Sequence, residues 1–351
     1  MCEERQCLVF GSNYFGRVAN YVDNHIVTAG YLRRFANDGG LIQPVRPRDP
    51  SNRPIPLRRP ETVGYRSRFF SDPELAEQAE QTLSQWEGRG LQALARIDRT
   101  WPVDTDAKYR DRLDIACLVA IHMVRNPAFR SYVARLQSEN IELQTPELNG
   151  SNESDEDFLR LVTSERYWVG YMLGAVPKMA SLIASTHWTM AEFPDRLLAT
   201  SDQPVTAVPL LIRGIPTGVA PQPESGFMLT EEYRFPIDPR RALIFTWANR
   251  PDTPKPVRAS YDIAADLNRA VIAQLDNEWF HHPSRRPTCL PLTGIPTSEC
   301  RPIGRLLVPG YGPTQALRSK RREHAEECLS RMIRDQVVDG FHVARVVRAA
   351  A

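Results

Sequence analysis

The sequence predicts an α+β fold, with a buried helical bundle in its first half, an antiparallel sheet in its second and a basic helical tail. Two patterns carry this expectation. Between about residues 71 and 185, apolar side chains recur at helical spacing. Beyond residue 187, short β-branched and aromatic runs are punctuated by Pro, Asp and Gln turns. Helices and strands are therefore segregated along the chain, which argues against an alternating, doubly wound sheet.

The elements follow in order. Residues 26–43 mix β-branched and aromatic side chains and end in Gly39-Gly40, which predicts an extended segment, a turn and a short strand. Residues 44–60 contain six prolines and predict a loop or polyproline-like crossing. Ser71, with Glu74 three residues on, offers a capping box for a first long helix. Leu75, Ala79, Leu83, Trp86, Leu91 and Leu94 keep helical spacing to about Ile97. A second helix is expected from about Asp104. Its apolar residues cover nearly the whole circumference between Leu113 and Val124, so it should be buried on all sides. Pro127 should kink or split it. A third helical region follows the acidic linker 147–157 and extends to about Ser185.

Then the period changes. "WTMAEF", "RLLATS", "TAVPLLI", "GFMLTEEYRF" and "RALIFTWA" read as strands. A helix is expected over Ile263 to Trp279, and a basic one from about Pro313 to Asp335. No repeat of fixed period is visible.

Bulk properties narrow the function classes. The 351 residues are 42% hydrophobic and 25% charged, as in ordinary globular proteins. The net charge of +2 creates no global field toward nucleic acid or an acidic membrane. Only four of the 44 basic side chains are lysines, so planar, forked arginine donors dominate. The six cysteines form no C-x-x-C pair, and "MCEERQCLVF" lacks the apolar core of a secretory signal. The expected compartment is cytoplasmic, with reduced thiols. "YWVGYMLGAVPKMASLIA" approaches a membrane-spanning length. It contains Pro177 and Lys178 and follows a highly charged stretch, so it reads as a buried helix. No phosphate-binding loop, dinucleotide fingerprint, H-E-x-x-H motif or G-x-S-x-G elbow occurs.

Several segments together resemble a known family. His25-Ile26-Val27-Thr28 precedes Tyr31-Leu32-Arg33-Arg34-Phe35; "FFSDPELAEQAEQTLSQWEGRGLQAL", "LVAIHMVRNPAFR", "LLATSDQPV", "YRFPIDPRRALIF" and "DLNRAVIAQLDNEWF" then follow in order. This series resembles the bacterial domain-of-unknown-function family 4238, with its His-x-x-Pro and Tyr-Leu-Arg-x-Phe opening, Arg-x-Pro helix and Thr-Ser-Asp-x-Pro strand end. The resemblance covers about residues 24–283, leaving an N-terminal extension 1–23 and a C-terminal extension 284–351. Thr28 stands where the family has Pro, and His122 where Gln is expected. The resemblance implies a domain type and no particular reaction.

Eight residues emerge as site candidates. Arg125 sits in an apolar helix before Asn126-Pro127, and a buried guanidinium needs a carboxylate, carbonyls or an anionic ligand. Glu87 shares a helix side with Leu83, Leu91 and Leu94 and is its natural partner, or a general base or metal ligand. His122 lies three residues before Arg125 and offers a proton carrier, or a core histidine. His25 opens the family-like motif. In an extended segment Tyr31 and Arg33 would share one face toward the site. Asp202 and Ser201 end the strand "RLLATS", where functional groups collect and where local capping is the plainer role.

The leading expectation is an intracellular enzyme on a polar or anionic substrate, working by hydrolysis or group transfer. Arg125 and Arg33 would hold negative charge, while His25, His122, Glu87 and Asp202 move protons or bind a divalent metal. Tyr31 and Ser201 would line the substrate. A small polar or anionic ligand is expected, with no membrane partner. One alternative is a nucleic-acid-engaging protein or nuclease of defence or mobile elements, because residues 46–68 carry seven arginines against Asp49 and Glu61, and "RSKRREH" is basic. Another is a non-catalytic interaction module, in which the polar residues only fix the packing.

Overall fold

The computed structural model describes residues 23–47, 55–67, 69–99, 101, 109–131, 133–134, 164–209, 211–212, 215–216, 230–246, 255–287, 303 and 307. The expected basic helix 313–335 and the "RSKRREH" cluster lie outside the described residues.

The fold is α+β, with the helices early and the strands late. Helices α1 (Ala29–Leu32), α2 (Pro73–Ile97), α3 (Tyr109–Val124) and α4 (Glu165–Ser185) share the first part with strands β1 (Asp23–His25), β2 (Gln43–Val45) and β3 (Tyr65–Ser67), and α5 (Tyr261–Ala273) lies in the second. The second part adds β4 (His187–Glu192), β5 (Ala199–Ser201), β6 (Thr206–Pro209), β7 (Leu211–Ile212), β8 (Ile215–Pro216), β9 (Thr230–Asp238), β10 (Arg241–Thr246), β11 (Val257–Arg258) and β12 (Trp279–His281).

The main sheet runs β11-β4-β10-β9-β6. All its pairings are antiparallel except β11 with β4. A second sheet has the order β2-β12-β5, and β1 pairs with β3 and β7 with β8. Alternation along β10 divides the core. Leu243 and Phe245 join Trp188, Met190 and Phe235 against helices α2, α3 and α4. Ala242 and Ile244 face the other way, onto Ala264 and Leu267 of α5. The main sheet is thus a middle layer between the three-helix group and α5.

Local chemistry explains the boundaries, including where they depart from expectation. Helix α2 is capped by Asp72, whose carboxylate accepts from the Glu74 and Leu75 amides, with Pro73 at the first turn. Ser71 is not the cap; its hydroxyl donates to Glu165 Oε2 at 2.7 Å and ties the start of α2 to α4. Helix α3 ends at Val124, and helical structure resumes at Pro127. Asn126 serves both sides of this split: its Nδ2 donates to the Met123 carbonyl, and its Oδ1 accepts from Phe129 N at 2.8 Å.

Two further expectations are corrected. Residues 29–35 are helical, not extended: the Thr28 carbonyl accepts from the amides of Tyr31 and Leu32, and a 3₁₀ turn covers Arg33–Phe35. Helical winding carries Tyr31, Leu32 and Phe35 into the core. Helix α5 stops at Ala273, and Trp279 belongs to β12. The Asp202 carboxylate takes the backbone amides of Asp276, Asn277 and Glu278, which holds that segment out of the helix.

One charged ring joins the layers at the end of α2. Asp98 accepts from Arg34 and from Arg241, each at 2.9 Å, and Arg241 also reaches Asp238 at 2.6 Å. Arg34 Nε donates to the Ile237 carbonyl at 2.7 Å. The first helical turn, the end of α2 and the β9–β10 hairpin are thereby clamped together.

Candidate functional site

Arg125 follows the last residue of α3 and is buried. Its Nη1 donates to Glu87 Oε1 at 3.0 Å, and its Nη2 pairs with Glu80. Glu80 lies seven residues before Glu87 on α2, so both carboxylates occupy one side of that helix. Arg125 Nε is buried with no partner. Burial pushes the Glu87 carboxyl up, while Arg125 and then Thr28 pull it down. The Thr28 hydroxyl lies toward that carboxyl but forms no well-aligned hydrogen bond, and its Oγ1 is buried unpaired.

His25 approaches the same group from β1. It lies opposite Tyr65 in the β1–β3 ribbon, with ring centroids 4.1 Å apart. Its ring lies toward the Glu61 backbone carbonyl, and its Nε2 is buried without a partner. Burial, and next the nearby Arg125 charge, lower the imidazole to about 4. It is therefore neutral near pH 7.

His122 is fully enclosed. Its ring lies 5.0 Å from Tyr31 and 5.7 Å from Phe235, and neither nitrogen has a partner. Burial lowers it to about 3, with Arg125 adding to the shift. Tyr31 donates its hydroxyl to the Pro236 carbonyl at 2.5 Å and meets Thr200 Oγ1 at 2.8 Å. It spans from the first helical turn to the ends of β5 and β9.

The structure thus brings together His25, Glu87, Arg125, His122 and Tyr31, from three separate parts of the chain. Three other candidates stand apart. Arg33 does not share a face with Tyr31, because the segment is helical; it is exposed and paired with Glu61 at 2.6 Å. Asp202 is committed to three backbone amides at 2.5–3.0 Å. Burial pushes its carboxyl up to about 6 against the opposing pull of those amides. Ser201 closes a local turn, donating to the Gln203 carbonyl at 2.9 Å and accepting from its amide. His281 and His282 are buried, and His281 Nδ1 lies 2.9 Å from the His282 carbonyl.

Sequence reasoning missed Thr28 and Glu80. Thr28 was visible as a departure from the family pattern, and Glu80 as the carboxylate two helical turns before Glu87. It also missed the Glu61 carbonyl and the Tyr65 ring, which no local pattern marks. Among the described residues, no three His, Cys, Asp or Glu side chains cluster as a metal-ligand set. No helix among them is long and apolar enough to cross a membrane.

The fold and the cluster define an α+β protein with a buried polar group lodged between its helical layer and its N-terminal ribbon. The model of the family described as "Protein of unknown function (DUF4238)" matches residues 23–285, and the chain belongs to that family. No curated protein and no solved structure matches it.

Proposed function

We propose that the protein is an enzyme acting on a small polar substrate by hydrolysis or group transfer, with its active site at His25, Thr28, Glu87 and Arg125. One observation carries the reading: His25 Nε2, Thr28 Oγ1 and Arg125 Nε are buried without hydrogen-bond partners, and His25 feels the Arg125 charge while Thr28 lies toward the Glu87 carboxyl that Arg125 shares with Glu80. Buried polar atoms left unsatisfied each cost roughly 1–3 kcal/mol, and a site that must pair with substrate is a recurrent reason to keep them. His25, neutral near pH 7, supplies a lone pair that accepts a proton. Arg125 supplies an N–H toward developing negative charge. Glu80 and Glu87 hold the guanidinium in place.

The nucleic-acid alternative has less support. Within the arginine-rich segment, Arg46 pairs with Glu278 at 3.1 Å and Arg66 pairs with Asp276. These carboxylates neutralise part of the patch that the sequence presents as basic.

The test compares wild type with His25→Ala across chromogenic ester, amide and phosphodiester substrates. Turnover that falls at least a hundredfold in a variant with unchanged thermal midpoint supports the reading. Equal turnover in both proteins removes His25 from the chemistry. A variant that only melts earlier, with no substrate turned over by wild type, supports the non-catalytic packing role instead.

A further inference from the structure

The face of the main sheet turned toward α5 changes character across its width, and strand register sets the change. Ala242, Ile244 and Thr246 alternate onto this face from β10, so the residues directly opposite them on β9 share it. Ile244 stands opposite Arg234, and Thr246 opposite Glu232. One end of the face is apolar, where Ala242 and Ile244 meet Ala264 and Leu267 of α5. The other end carries charge: Arg234 Nε pairs with Glu232 Oε1 at 2.7 Å, and each side chain is only 1% exposed. An ion pair this deep in a sheet face needs a cover and further hydrogen bonds to its carboxylate.

Part of that cover comes from beyond the family domain. The family model ends at residue 285, yet Ile303 and Leu307 are buried in the same core as Ile244, Ala264 and Leu267. Leu307 N donates to the Ile303 carbonyl at 3.0 Å, the four-residue step of an α-helical turn. The two side chains therefore lie on one side of that turn. The leading amide of such a turn has no acceptor within it. Here Ile303 N donates to Glu232 Oε1 at 3.2 Å, the same oxygen that Arg234 Nε holds.

We propose that Ile303 and Leu307 form a clasp by which the C-terminal extension docks in cis on the α5 side of the main sheet, with Glu232 as its polar latch. The docking surface fits a short helical segment with apolar residues four apart and a free leading amide. Its occupant is this chain's own segment, Ile303-Gly304-Arg305-Leu306-Leu307. Seating withdraws two large apolar side chains from water and gives the Glu232 carboxylate a backbone donor beside Arg234. Release uncovers Glu232 and the apolar end of the sheet face.

The experiment is amide hydrogen exchange on the full-length protein, with a synthetic peptide of residues 299–311 as the undocked reference. The Ile303 and Leu307 amides should exchange at least about a hundredfold more slowly in the protein than in the peptide. Ile303→Asp should return the Leu307 amide to the peptide rate. It should also open Glu232 to carbodiimide coupling with glycine ethyl ester, read by mass spectrometry, where wild type stays unlabelled. If the aspartate variant does not fold, Ile303→Ala with Leu307→Ala reads the same two quantities. A Leu307 amide that already exchanges at the peptide rate in wild type overturns the clasp. So does protection that survives the substitutions, or Glu232 labelling equal in variant and wild type. Protection that falls on tenfold dilution, in a species with the mass of two chains, assigns the contact to a second copy and overturns docking in cis. None of these readouts depends on the His25–Arg125 group.

Discussion

Arg125 Nη1 reaches Glu87 Oε1 across 3.0 Å, from the end of α3 to the middle of α2, with both residues buried. Removing Glu87 leaves the buried guanidinium with Glu80 as its remaining carboxylate, at a cost of up to roughly 3–5 kcal/mol. Glu87→Ala should lower the urea midpoint accordingly. Glu80 is more exposed, so Glu80→Ala should cost clearly less. Equal losses in the two variants would show that Glu87 is not the principal partner.

Tyr31 ties the first helical turn to the sheet through its hydroxyl as well as through its ring. Tyr31→Phe keeps the ring against Phe35 and Phe235 but leaves the Pro236 carbonyl and Thr200 without their partner. The expected loss is about 1–3 kcal/mol in denaturant unfolding. A neutral effect would mean that water replaces the phenol there.

Stability should fall as the pH drops from about 6.5 toward 4. His25 and His122 have folded-state values lowered from 6.5 to about 4 and about 3. The unfolded chain therefore binds protons first, and stability is full above 6.5 and lost below it. Asp202 runs the other way: its value is raised from 3.8 to about 6, so its contribution is present at low pH and lost as pH rises through that window. The two histidines outweigh it. His122→Phe keeps a ring between Tyr31 and Phe235 and should flatten the acid limb in thermal melts taken across this range.

Asp202 should matter for folding and not for chemistry. Asp202→Ala leaves three buried amides without their acceptor and should cost on the order of 1–3 kcal/mol. Asp202→Asn keeps one carbonyl oxygen and should cost less. In both, the folded protein should keep whatever turnover the wild type shows. A selective loss of turnover at an unchanged thermal midpoint would return Asp202 to the site.

Much of this architecture could be read along the chain. The end of α4 falls at Ser185, where the periodicity changes, and α2 ends at Ile97, where its apolar stripe stops. The Arg125–Glu87 pairing was legible because each is an ionisable side chain placed in an apolar stripe, and such groups need partners. Arg33 and Arg34 were not distinguishable in this way. Their roles depend on whether the segment winds or extends, and that was settled by the sheet strands against which Tyr31 and Phe35 pack. The end of α5 was equally hidden, because the group that stops it, Asp202, lies some seventy residues earlier in sequence.

By itself the sequence determined the α+β order, the buried character of the helices and the need of Arg125 for a carboxylate. These follow from local periodicity and from the cost of desolvating charge, and both act wherever the residue ends up. Only the tertiary structure decided that two carboxylates share the Arg125 guanidinium, that the His25 ring packs on Tyr65 and that Asp202 and Ser201 spend their oxygens on nearby backbone. Those outcomes depend on which distant atoms come within hydrogen-bonding range, and hydrogen bonds act over about 3 Å, a distance that spacing along a chain does not encode.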